Sequence, residues 1–187
     1  GTLARLLIGI LSTTPNIEVK LKGDHSLNKR DMSKLINITS KFGASFFPKN
    51  KKTFPLKMIS SELPIGIRYD AGVSAQLKSA AILAGLNSYG YTTIFEKIIS
   101  RDHTENLLMN NPQAIRINKA KKKVIKVYGK RYLKPFVMDI SGDPSSAAFF
   151  VALTLLNPNS SITIKNVGLN PTRIGFYKIL KKHNAKI

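Results

Sequence analysis

Arginine, aspartate, histidine and glutamate fall within five consecutive positions of SRDHTENLL, residues 100–108. Such a set suits two kinds of chemistry. His103 beside a carboxylate would move protons, whereas Arg101 would bind an anion bidentately and stay charged while doing so. The spacing favours the second. Asp102 and Glu105 fit a capping box, with aspartate at the N-cap and glutamate at the third helical position. His103 and Glu105 then belong to an outer helix, and Arg101 in front of it is the ligand-binding candidate.

The elements needed to position that arginine recur along the chain. Arg30, Arg101 and Arg173 each precede or open a polar-faced helical stretch, and they are 71 and 72 residues apart. Ahead of each lies an apolar helical segment: TLARLLIGIL (2–11), SAQLKSAAILAGL (74–86) and SSAAFFVALTLL (145–156). Their openings, Gly1, Ser74 and Ser145, are 73 and 71 residues apart. The first segment carries an i, i+3, i+4 apolar pattern. The other two are apolar nearly all round, so burial on every side is expected of them.

A β-rich stretch follows each apolar helix (17–23, 91–97 and 161–167), and the polar helix comes next. The first two copies then end in paired short strands, 45–49 with 54–59 and 114–118 with 123–128. Strands IGIRY (65–69) and FVMDI (136–140) open copies two and three. The unit reads βαβαββ, an α/β (α+β) architecture, with a third copy cut short. The lack of a starting methionine and the end at HNAKI read as a segment of a longer protein.

Helix N-termini expose unpaired N–H groups and a positive dipole end, a ready site for anions. Gly1-Thr2 and Ser74-Ala75-Gln76 sit at two such ends. Glycine admits a close approach to the backbone. Ser74 is either an N-cap or a donor to phosphate. Gln76 places an amide on the first turn of an otherwise apolar helix. Arg5, one turn inside the first helix, needs an anionic partner if buried. With Arg30 and Arg101 these residues suit a small polyanion.

Composition narrows the alternatives. Lys+Arg is 30 against 10 Asp+Glu, a net charge of +20. The run KAKKKVIKVYGKR (119–131) reads as an exposed, solvated strand pair, and no RNP-type motif, RGG repeat or zinc finger accompanies it. There is no cysteine, which removes disulfides, thiolate metal sites and a cysteine nucleophile. The histidines, His25, His103 and His183, show no metal-ligand spacing. No apolar run approaches the ~20 residues of a membrane span.

The stretches GTLARLL (1–7), GDHSLNKRDM (23–32), SAQLKSAAILAGL (74–86), RDHTE (101–105), GDPSSAAFF (142–150) and NVGLNPTR (166–173) together resemble the central part of the 5-enolpyruvylshikimate-3-phosphate synthase family, in its order and spacing. The resemblance implies two domains of βαβαββ units with buried parallel helices, an inside-out α/β barrel that is incomplete here. Residues 1–138 would be part of one domain and 139–187 the start of the other.

It further implies transfer of the enolpyruvyl group of phosphoenolpyruvate to the 5-hydroxyl of shikimate 3-phosphate, with release of phosphate and no cofactor. Gly1, Thr2, Arg5, Arg30 and Gln76 would form the phosphoenolpyruvate side. Ser74, Ala75, Gln76 and Arg101 would hold shikimate 3-phosphate. The family's proton-transferring residues match nothing in this chain, so no catalytic residue is assigned and the isolated chain is expected to be inactive. A cytoplasmic location, a monomer when complete, and no nucleic-acid or membrane partner are also implied.

The chain departs from the family's pattern at Asp31, where proline is usual, at the ISGD crossover (140–143), and at MNNPQA and KHNAKI, where asparagine replaces glycine in turns. Gly1 stands where inhibitor-resistant members carry alanine. Three rival readings are a basic nucleic-acid-binding module, a non-catalytic remnant that keeps the fold, and the related transferase acting on UDP-N-acetylglucosamine. That transferase generally carries a cysteine that is absent here.

Overall fold

The computed structural model describes residues 1–118 and 123–187. In chain order the elements are α1 (Thr2–Leu11), β1 (Glu18–Leu21), α2 (His25–Asn28), α3 (Ser33–Lys41), β2 (Ser45–Phe47), β3 (Leu56–Ile59), β4 (Arg68–Ala71), α4 (Ala75–Asn87), β5 (Tyr91–Glu96), α5 (His103–Leu108), β6 (Ile115–Asn118), β7 (Lys123–Tyr128), α6 (Pro144–Leu156) and α7 (Gly175–Lys182). They fall into two compact units, Gly1–Lys134 and Pro135–Ile187.

In the first unit two sheets flank two central helices. The first sheet has the order β1-β3-β2 and is antiparallel throughout. The second has the order β4-β5-β7-β6, with β4 and β5 parallel across the α4 crossover and the remaining pairs antiparallel. The order β5-β7-β6 repeats β1-β3-β2 one copy later. Period-2 alternation sends one face of each sheet inward: Leu56 and Met58 from β3, Ile94 from β5, and Ile125 and Val127 from β7 are buried.

Helices α1 and α4 run side by side in the same direction. Their starts meet where Gln76 Nε2 donates to Thr2 Oγ1, and their ends meet where Asn87 Nδ2 donates to the Thr13 carbonyl. The contact is close because of Gly9. A Cβ at that position would lie 2.6 Å from the Ala80 carbonyl oxygen and 2.9 Å from its Cα. Gly9→Ala would gain about 1 kcal/mol of helix propensity. Backbone cannot swing aside as a side-chain tip does, so overpacking, typically about 1–3 kcal/mol, should dominate. A lower denaturant midpoint is the expected result for this variant. A midpoint at or above that of the parent chain would show that the helices separate at little cost.

The expectation of all-round burial holds for α4, whose buried residues run through Leu77–Ile82 and include Ala84 and Gly85. It fails for α6. Only Pro144 and Ala147 are buried, while Phe149 and Leu156 are 79% and 82% exposed. The described residues of the second unit supply one short partner helix, α7, and irregular backbone, too little to cover a helix on all sides. Two expected strands are missing for a related reason. Residues 136–140 and 161–167 form no ladder; within the second stretch only Val167 pairs, in a single parallel bridge with Gly142. Alternating residues need a neighbouring strand before they become a sheet.

The basic run also differs from its reading. Residues 119–122 lie outside the described residues, and the part from Lys123 to Tyr128 is an inner strand with fully buried Ile125 and Val127. On its outer face Lys126 Nζ sits 3.9 Å from the Tyr91 ring centroid, a cation–π contact. At the substituted turns, Asn184 takes the left-handed conformation (φ 62°). Asn111 in MNNPQA does not; it is buried, and its side chain accepts from the Lys134 N–H at 2.6 Å.

Candidate anion-binding site

The N-termini of α1 and α4 lie together because the two helices are parallel and in register, and Gln76 joins them. Its Nε2 donates to Thr2 Oγ1 at 2.6 Å, and its Oε1 accepts from Arg5 Nη1 at 2.9 Å. Arg5 is half-buried, and its partner is a neutral amide, not an anion. Among the described residues no carboxylate pairs with it. Neither helix has an acidic residue in its first turn. The positive helix ends are therefore left without a protein counter-charge.

Gly1 is the N-cap of α1, and a Cβ there would lie 2.5 Å from Arg30 Nη1 and 3.5 Å from Arg5 Nη1. Two guanidinium groups thus reach the same helix end. Because the nearest atom is the tip of a flexible side chain, Gly1→Ala should displace Arg30 rather than unfold the chain. Stability within about 0.5 kcal/mol of the parent is expected. Affinity for a small anion is expected to fall roughly tenfold, the scale of one hydrogen bond to a charged group. Titration of both chains with inorganic phosphate checks this, and equal affinities would separate Arg30 from the bound anion.

Ser74 caps α4, its Oγ accepting from the Leu77 N–H at 3.4 Å. That bond uses the oxygen as acceptor and leaves the hydroxyl proton to donate, so the cap and ligand readings are compatible. A cavity of about 170 Å³ opens beside this end and is lined by Thr2, Ala75, Gln76 and Arg101, with Ser79, His103 and Thr104. Gly1, Arg5, Arg30 and Ser74 lie outside this lining, tied to it through Thr2, Gln76 and Ala75. Thr104 is not among the sequence candidates, and His103, assigned there to an outer helix, also lines the cavity. Their signal was adjacency to Arg101 at the opening of a helix. A larger hollow of about 760 Å³ in the second unit is lined mainly by apolar residues of α6 and its neighbours and holds none of the predicted ligand residues.

The capping box expected at 102–105 is not formed. Asp102 is at the N-cap of α5 with no side-chain cap hydrogen bond to the helix. Glu105 instead turns inward to a buried charge cluster. Lys78 Nζ lies 2.8 Å from Glu96 Oε1 and 2.7 Å from Glu105 Oε1, and all three side chains are wholly buried. Lys123 Nζ adds contacts of 3.1 Å to Glu96 Oε2 and 3.0 Å to Glu105 Oε1. Burial pushes the Glu96 carboxyl up, but hydrogen bonds from Lys78, Ser100 and Lys123 outweigh it and bring its pKa down from 4.5 to about 2. Burial lowers the Lys123 ammonium pKa, yet its bonds to Glu105 and Glu96 leave it raised overall. A lysine inside an apolar helix was the available signal for this cluster.

Asp31 lies one residue before Met32, the N-cap of α3. Its carboxylate accepts from the Ser33 N–H at 2.8 Å and from Ser33 Oγ at 2.7 Å, bonds that lower its pKa. In the second unit, Asp143 caps α6 and accepts from Arg173 Nη2 at 2.6 Å, while Arg173 also donates to Ser145 Oγ. The third copy therefore fills its anion position with its own carboxylate. Among the described residues no cluster of histidine and carboxylates suits a metal ion, and no helix is long and apolar enough to cross a membrane.

Arginines, backbone N–H groups and one amide around a small cavity can hold and polarise a compact anion. The family model for EPSP synthase (3-phosphoshikimate 1-carboxyvinyltransferase) matches residues 1–187. The chain belongs to the EPSP synthase family. A 3-phosphoshikimate 1-carboxyvinyltransferase from Novosphingobium aromaticivorans is 43% identical across the whole chain, which covers 43% of that relative. One from Leuconostoc citreum is 40% identical, again over the whole chain and 43% of the relative. The solved structure of EPSP synthase from Acinetobacter baumannii superposes with a TM-score of 0.82 at 34% identity, over 100% of this chain and 41% of that one. The chain thus spans less than half the length of the relatives it matches. Its mixed α/β architecture, without a closed barrel, is an incomplete version of the EPSP synthase fold.

Proposed function

We propose that this chain forms one side of the substrate site of a 3-phosphoshikimate 1-carboxyvinyltransferase. The carboxyvinyl group of phosphoenolpyruvate would pass to the 5-hydroxyl of shikimate 3-phosphate with release of phosphate. The observation that carries the reading is the meeting of two uncompensated helix N-termini, bridged by Gln76, with Arg5 and Arg30 on one side and Arg101 on the other. Ser74, Ala75, Gln76 and Arg101 hold shikimate 3-phosphate. Gly1, Thr2, Arg5, Arg30 and Gln76 face phosphoenolpyruvate.

Positioning and electrostatic stabilisation are what these residues contribute. Glu96 and Glu105 are buried and paired with lysines, so neither is placed to exchange a proton with a ligand in the cavity. The chain alone should therefore bind but not turn over. The boundary between the compact units supports reading residues 1–138 as part of one domain and 139–187 as the start of a second. Family membership supports a monomeric, cytoplasmic enzyme when complete.

Thermal unfolding with and without shikimate 3-phosphate at physiological salt tests the reading. A ligand that binds only the folded chain raises the midpoint. No rise in a folded chain, or sustained turnover by it, would overturn the assignment.

A further inference from the structure

Arg101 is exposed, and its guanidinium makes no hydrogen bond among the described residues, yet the backbone on both sides of it is tied to one buried ammonium group. On the N-terminal side, Glu96 Oε1 accepts from the Ser100 N–H at 2.8 Å and from Ser100 Oγ at 2.7 Å, closing the turn that leads to the arginine. The same oxygen accepts from Lys78 Nζ at 2.8 Å. On the C-terminal side, Glu105 reaches Lys78 Nζ at 2.7 Å. Thr104 Oγ1 lies 2.7 Å from Ser79 Oγ, a second link between α5 and α4. Lys78 itself is in the first turns of α4, directly after the Ser74–Gln76 end that faces the cavity.

We propose that Glu96 and Ser100, anchored on Lys78, are positioning residues that fix Arg101 against the N-terminus of α4, so that its guanidinium meets a phosphate without first ordering the loop. Ordering a loop and a long side chain on binding weakens affinity, and a shell locked in advance avoids that loss. Moving one member of a buried ion pair leaves a desolvated charge, which opposes departures from this geometry. This inference rests on the placement of Arg101 at the shikimate phosphate, and its test separates the two.

The experiment compares binding of shikimate 3-phosphate with that of shikimate, which lacks the phosphate, to the full chain and to Ser100→Ala, Glu96→Gln and Arg101→Ala. A Ser100→Ala or Glu96→Gln chain is expected to lose roughly tenfold in affinity for shikimate 3-phosphate, the scale of one hydrogen bond to a charged group. Its affinity for shikimate should stay within about twofold of the parent. A general loss of structure would weaken both ligands together, and that result overturns the proposal, as does no change in either.

Should Arg101→Ala leave the preference for the phosphorylated ligand intact, the site assignment fails instead. Hydrogen exchange then reads the positioning role without ligand. Glu96→Gln should speed exchange over residues 100–104 and leave β3, in the other sheet, unchanged, and unaltered exchange over 100–104 would refute it. Ser100→Ala keeps all four charges of the cluster, so it remains informative if Glu96→Gln does not fold.

Discussion

Lys78→Met should cost the first unit about 3–5 kcal/mol, the loss expected when one member of a buried charge network is removed. The shape of the side chain is roughly kept, so the effect isolates the charge. Lys78 stands between Glu96 and Glu105, all three wholly buried, and without it two carboxylates share Lys123 alone. Such a loss is a large part of the total stability of a small domain, about 5–15 kcal/mol. Denaturant unfolding at neutral pH, read by far-UV circular dichroism, measures it. A midpoint unchanged from the parent would mean that the lysine contributes no net stabilisation.

The parent chain should show the matching acid dependence. Glu96 titrates at about 2 when folded and near 4.5 when unfolded. Its contribution is complete above about pH 4.5 and is lost as the pH falls towards 2, because the unfolded chain takes up the proton first. Lys123, raised above its ordinary 10.5, contributes fully below that value and loses its contribution as the pH rises beyond it.

Arg101→Ala should abolish the rise in unfolding midpoint produced by shikimate 3-phosphate while leaving the unliganded midpoint almost unmoved. The side chain is exposed and makes no hydrogen bond among the described residues, so its removal should change stability by no more than about 0.5 kcal/mol. Its charge-assisted bonds to a phosphate are worth about 1.5–3 kcal/mol, tenfold or more in affinity. The test belongs at physiological salt, since a chain of net charge +20 collects anions indiscriminately when screening is weak. Ligand-induced stabilisation that survives in the variant would place the phosphate elsewhere.

Much of this arrangement can be read from residue order. The 71–73-residue spacing of arginines and apolar helices marks the α1–α4 pair and sets Arg30 and Arg101 near helix ends. Helices carry their period locally, which is why they were legible. Residues 136–140 and 161–167 read as strands, but a strand is completed by its neighbour, and among the described residues of the second unit only the Gly142–Val167 bridge forms. RDHTE illustrates a different difficulty. Its spacing satisfies a capping box, but Lys78, distant in sequence, competes for Glu105 and wins, since a buried ammonium gains more from a carboxylate than a helix end does. Nothing local in the sequence distinguishes these outcomes.

Helices α1, α4 and α6 begin after Gly1, Ser74 and Asp143 respectively. Two of these residues are neutral; the third is a carboxylate that has already taken Arg173. The charge at the N-cap therefore differs between copies of one scaffold. A neutral N-cap brings no counter-charge to its helix end, whereas Asp143 brings one and engages the copy's own arginine. Repetition of the unit thus repeats its backbone without repeating its electrostatics.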